Sequence, residues 1–160
     1  MTALHWDAVG HGDALARPTT VAVSGATLYV GVESGDIHAS DDEGASWRLV
    51  ATTPDGVCPR DMTALDGSLH VATEIGVLRL GVDGEWSTVP LTPPIIRSVT
   101  THNGSVFVLT DSAVYRSPSP DGPWARVSER VHDMAHIHAM GGVLYGAARQ
   151  GVVYRADITD

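Results

Sequence analysis

Residues 25–50 read GATLYVGVESGDIHASDDEGASWRLV, and the outline of this stretch recurs along the chain. It holds a turn pair (Gly25-Ala26), a short apolar segment (Leu28-Tyr29-Val30), a glycine seven residues after Leu28 (Gly35), a second segment (Asp36-Ile37-His38) and a tryptophan (Trp47). The first apolar segment returns as Leu69-His70-Val71, Val106-Phe107-Val108 and Leu144-Tyr145-Gly146. Gly76, Ala113 and Gly151 keep the register of Gly35. Val77-Leu78-Arg79, Val114-Tyr115-Arg116 and Val152-Val153-Tyr154-Arg155 keep that of the second segment. The turn pairs are Asp66-Gly67, Asn103-Gly104 and Gly141-Gly142, and such pairs tolerate the positive φ that tight hairpins require.

The four tryptophans set the period. Trp6, Trp47, Trp86 and Trp124 are spaced by 41, 39 and 38 residues, and continuing from Trp124 through the C-terminus back to Trp6 adds 42. The chain therefore reads as a circle of four units, cut just before one tryptophan. Each unit holds four short strands, no stretch sustains a helical period, and 17 Gly with 9 Pro punctuate the chain. Radially repeated four-stranded units of this length make a β-propeller. The expectation is an all-β, single-domain, four-bladed β-propeller with about 40 residues per blade. Its blades fall at about 18–57, 58–96, 97–134 and 135–160. The last unit lacks an outer strand, and residues 2–10, with Trp6, are expected to supply it and so cover an open sheet edge.

Ser40-Asp41-Asp42-Glu43-Gly44-Ala45-Ser46-Trp47 resembles the Asp-box, the Ser-x-Asp-x-Gly-x-Thr/Ser-Trp turn of BNR-repeat propellers of the sialidase-like superfamily. Weaker copies lie at Ser117–Trp124, Val82–Trp86 and from Ala156-Asp157 onward. The resemblance implies the propeller fold. It implies little about activity, because one fold hosts many functions. The turn itself is expected to be structural: Asp accepts amide hydrogen bonds, Gly takes positive φ, and Trp packs between sheets.

Composition excludes several classes of function. All 10 basic residues are Arg, so neither a Schiff-base lysine nor a phosphate-loop lysine exists. A net charge of −9 disfavours nucleic-acid binding. No apolar run reaches the length of a bilayer span, so no membrane partner is expected. The first 20 residues show no secretory signal, and a cytoplasmic location is expected. Cys58 is the single cysteine, which excludes an internal disulfide.

Propeller ligands usually sit where the outer strand of one blade crosses to the inner strand of the next. Counting from the tryptophans puts Arg17, Arg60 and Arg97 at three of the four crossings, with Ala135 at the fourth. Three guanidiniums there would hold a carboxylate or phosphate through their paired donors. The resemblance carries the same logic, since sialidases hold a substrate carboxylate with an arginine triad. The fourth crossing instead concentrates His132, Asp133, His136 and His138. His136 and His138 alternate to one side of a strand. Thr20, Asp61 and Ser98, then Ala22, Thr63 and Thr100, occupy the matching places in the other units, a polar side suited to a solvated channel. No metal or cofactor is assigned, although a strand His-x-His at His136 and His138 is a ligand pattern.

The expected function is binding of an anionic small molecule by Arg17, Arg60, Arg97, His132 and His138, with His136 and Asp61 as proton carriers if the protein is an enzyme. The alternatives are a non-catalytic protein-interaction scaffold and a glycosidase-like activity. The latter is disfavoured because Tyr29, Tyr115, Tyr145 and Tyr154 all fall in strands. The protein is expected to be a monomer or a homodimer, the latter if four blades pair into eight.

Overall fold

A computed structural model of the chain describes residues 8, 15–91, 95–128 and 133–159. Trp6, the segment 2–10 and His132 lie outside the described residues, apart from Ala8. The described chain is all-β, with a short 3-10 turn at Pro54–Gly56 and no α-helix among the described residues. Four antiparallel sheets follow one another, each wound in simple chain order. The first contains β1 (Pro18–Ser24), β2 (Thr27–Val32), β3 (Asp36–Ser40) and β4 (Arg48–Thr52). The second contains β5 (Asp61–Leu65), β6 (Ser68–Thr73), β7 (Gly76–Leu80) and β8 (Trp86–Thr88). The third contains β9 (Ile96–His102), β10 (Ser105–Thr110), β11 (Val114–Ser117) and β12 (Ala125–Arg126). The fourth has three strands, β13 (Met134–Met140), β14 (Val143–Ala148) and β15 (Val153–Asp157).

Local chemistry explains the hairpins. Asp66-Gly67, Asn103-Gly104 and Gly141-Gly142 each form a two-residue loop with both φ values positive. That backbone twist matches the flanking strands, so register is set at the turn. Gly35 (φ 95°) has a second constraint: a Cβ there would meet Thr53 Oγ1 at 2.5 Å and the Gly56 backbone at 2.8 Å.

The sheets pack face to face. β1 lies beside β5, β5 beside β9, and β9 beside β13. Ile37, Leu69, Val71 and Leu78 fill the first interface with Trp86 against them. Ala72, Val77, Val99, Val106 and Val108 fill the second with Trp124. Phe107, Leu109, Val114 and Ile137 fill the third. Burying each large aliphatic side chain contributes roughly 1.5–3 kcal/mol.

The turn between β3 and β4 is a closed hydrogen-bond system. Ser40 Oγ donates to Asp42 Oδ1 (2.8 Å) and accepts from the Gly44 amide (2.8 Å). Asp42 also accepts from the Ser46 hydroxyl (2.6 Å) and amide (2.9 Å), and Trp47 Nε1 donates to the Gly44 carbonyl (3.0 Å). The Ser46 bonds, with that from Ser40, hold the Asp42 carboxyl down at about 2. Such a carboxylate is committed to the turn, in keeping with a structural role.

Candidate functional site

The first strand of every sheet opens onto one cavity of about 560 Å³. Its walls include Thr20 and Val21 of β1, Arg60 and Asp61 at the head of β5, Thr100 of β9, and His136 and His138 of β13. The size lies within the range of small-molecule sites. Four of the residues singled out from sequence, Arg60, Asp61, His136 and His138, therefore share one site.

Asp61 is buried at the base of this cavity, and Ser98 is completely buried beside it. Asp61 Oδ2 accepts from the Ser98 hydroxyl (2.5 Å) and from the Val99 amide (3.0 Å). Asp61 Oδ1 accepts from the Met62 amide (3.0 Å). Ser98 Oγ in turn accepts from the Ile137 amide (3.1 Å) and lies 3.2 Å from His136 Nδ1, which is 3.5 Å from Asp61 Oδ2. With its proton directed to Asp61, Ser98 Oγ faces His136 as an acceptor. In the tautomer with its proton on Nδ1, His136 donates to Ser98 Oγ and Nε2 offers a lone pair. The His136 side chain is 55% exposed, so that lone pair is within reach of a ligand.

The same contacts revise the expected solvated channel. Asp61, Ser98 and Thr100 are buried because they tie each first strand to the next. Asp61 bonds the β9 backbone, while Ser98 and Thr100 bond that of β13 (Thr100 Oγ1 accepts from Ala139 N at 3.2 Å). At the equivalent places in β13 the exposed residues are His136 and His138. Ser98 joins Asp61 to His136 in this site, although the sequence did not mark it as a site residue. The available signal was its alignment with Asp61 and His136 at one strand position.

The arginine set also changes. β1, β9 and β13 each carry a register irregularity near their start, with Thr19, Arg97 and Ala135 as the extra residues. Arg60 immediately precedes Asp61, which pairs with Ala72 as Ser98 pairs with Leu109. The equivalent positions are therefore Thr19, Arg60, Arg97 and Ala135. Arg17 corresponds instead to Asp133. Both have positive φ, and their carbonyls accept equivalent amides, from Glu33 and Arg149. Arg17 thus lies two residues before the position that matches Arg60.

Arg17 pairs with Glu33 (2.5 Å) in solvent, with an 80% exposed side chain. Arg97 is half-buried, and neither it nor Arg17 lines the cavity. Arg60 lines it and makes a loose ion pair with Glu74 (3.4 Å) between exposed groups, worth at most about 1 kcal/mol. A ligand carboxylate could take Glu74's place at little cost. Among the described residues no cluster of three metal-ligating side chains exists. No helix among them is long and apolar enough to cross a membrane.

No protein-family profile and no curated protein sequence matches the chain. Solved structures do match it. The computationally designed Ika4 protein aligns with a TM-score of 0.73 at 13% identity, covering 97% of this chain and all of that one. A chain of the nidogen/laminin complex aligns with a TM-score of 0.75 at 16% identity, over 88% of this chain and 59% of its own length. The designed Ika8 protein aligns with a TM-score of 0.67 at 14% identity, over 88% of this chain and 46% of its own. At these identities the likeness is one of fold.

Proposed function

We propose that this protein is a four-bladed propeller of Asp-box type that binds a small carboxylate-bearing molecule at its hub. The observation carrying the proposal is that all four sheets send their first strand to one cavity, where Arg60, His136 and His138 meet. The end-to-end alignment with the designed Ika4 protein and the hydrogen-bonded Ser40–Trp47 turn support the ring and its repeat type.

Arg60 binds the carboxylate through its guanidinium, exchanging Glu74 for the ligand. His136 Nε2 faces the bound molecule, while Asp61, through Ser98, keeps the imidazole oriented. An imidazole held at the wall of a ligand cavity is placed to exchange a proton with a bound acid. His138, two residues on, presents a second imidazole at the same wall.

A panel of small mono- and dicarboxylates, monitored by ligand-observed NMR and thermal shift, tests this proposal. At least one should bind the wild type. Arg60→Ala should weaken that binding 10-fold or more, in line with the loss of a charge-assisted hydrogen bond, while leaving the melting temperature within about 2 °C. Absence of binding across the panel, or equal affinity in Arg60→Ala, would reject the site and favour a protein-interaction scaffold.

A further inference from the structure

The hub cavity is long as well as open, and its two ends differ in chemistry. The first strands run side by side in one direction. Asp61 Oδ2 accepts from the Val99 amide, and Thr63 Oγ1 lies 3.2 Å from Thr101 Oγ1. Ser98 Oγ accepts from the Ile137 amide, and Thr100 Oγ1 from the Ala139 amide. The Thr19 hydroxyl donates to the Pro59 carbonyl (2.6 Å), which sets the start of β1 beside that of β5. Arg60, Asp61 and His136 therefore stand where these strands begin, while Val23 and Ala64 line the cavity where β1 and β5 finish. The strand rise puts about 13 Å between Arg60 and Ala64.

Along that length one strand presents an apolar wall. Val21 matches Met62, Val99 and Ile137 in the repeat, and those three are buried against the preceding sheet. Val21 is instead 62% exposed and Val23 59%, and both line the cavity. Water against two exposed valines is released when an apolar chain takes its place.

We propose that the molecule held by Arg60 is an aliphatic carboxylate of about six to ten carbons, since an extended chain advancing about 1.3 Å per carbon then reaches from the guanidinium to Val23. The inference rests on the carboxylate reading of Arg60. Arg60 anchors the charged end, and Val21 and Val23 select for the chain behind it.

The test is isothermal titration of the full chain with straight-chain carboxylates from butanoate to dodecanoate, below their micellar concentrations. Affinity should rise about threefold per added methylene and level off near decanoate, where the chain passes Val23. In the double variant Val21→Thr/Val23→Thr, octanoate should bind about 10-fold more weakly and butanoate within about twofold of wild type. The melting temperature should stay within about 2 °C, because both side chains are exposed. Binding that depends on Arg60 but not on chain length overturns this inference and leaves the carboxylate reading standing. A length dependence that persists in the double variant also overturns it, by placing the chain elsewhere. No binding at any length rejects both.

Discussion

His70→Phe is expected to stabilise the protein at neutral pH and to remove an acid-sensitive component worth about 3 kcal/mol between pH 6.5 and pH 4. His70 on β6 is completely buried, and neither ring nitrogen has a hydrogen-bond partner. Burial, with the Arg79 guanidinium nearby, lowers its pKa from 6.5 to about 4. Between those values the unfolded chain binds a proton that the folded chain refuses. Stability is thus fully present above pH 6.5 and falls as the pH drops toward 4.

The third sheet shows what the position requires. Phe107 pairs with Arg116 across β10 and β11 as His70 pairs with Arg79 across β6 and β7. The Arg116 guanidinium lies 5.5 Å from the Phe107 ring centre, and both arginines reach the serine two residues before the ring, Ser105 and Ser68. The phenyl ring introduced by His70→Phe would keep this ring-under-guanidinium arrangement and remove two orphan nitrogens, a change that is neutral to favourable when shape is preserved. Urea denaturation at pH 7 and pH 4.5 measures the effect. An unchanged stability difference between the two pH values in the variant would place the acid sensitivity elsewhere.

Asp61→Ala is expected to cost about 3–5 kcal/mol and to disorganise the hub. Removing the carboxylate strands the Val99 and Met62 amides in a buried site, where each unsatisfied donor costs roughly 1–3 kcal/mol, and leaves the Ser98 hydroxyl only the longer bond to the Ile137 carbonyl (3.3 Å). The acceptor that faces His136, Ser98 Oγ, loses through the same change the carboxylate that directs its proton. Asp61→Asn keeps the shape and one acceptor oxygen, so it should lose less. Denaturant midpoints for Asp61→Ala, Asp61→Asn and Ser98→Ala, with the His136 Nδ1 and Nε2 nitrogen shifts, separate the structural from the orienting effect. Wild-type stability in Asp61→Ala would show that the carboxylate does not hold β5 to β9.

Much of the architecture was legible in the chain. Asp66-Gly67, Asn103-Gly104 and Gly141-Gly142 announce hairpins because positive φ is a local property. The apolar segments around Val71, Val108 and Ile37 announce strands for the same reason. The site was only partly legible. His136 and His138 alternate on one strand, which the local period of two shows, and Arg60 and Asp61 do reach the cavity wall. Arg17 falls two residues short of the matching place, which pairing with β2 gives to Thr19, and a count along the sequence does not see that pairing.

What the sequence determined by itself is what depends on near neighbours: strand positions, tight turns, the fourfold period, and a charge set with Arg but no Lys. Only the tertiary structure decided which polar residues of the first strands are buried ties and which face open space. Asp61, Ser98 and His136 are equivalent in the repeat, yet the first two are sealed by the strand that follows and the third is exposed. A side chain's solvent is set by what packs against it, and that packing comes from residues about 37 to 39 positions away.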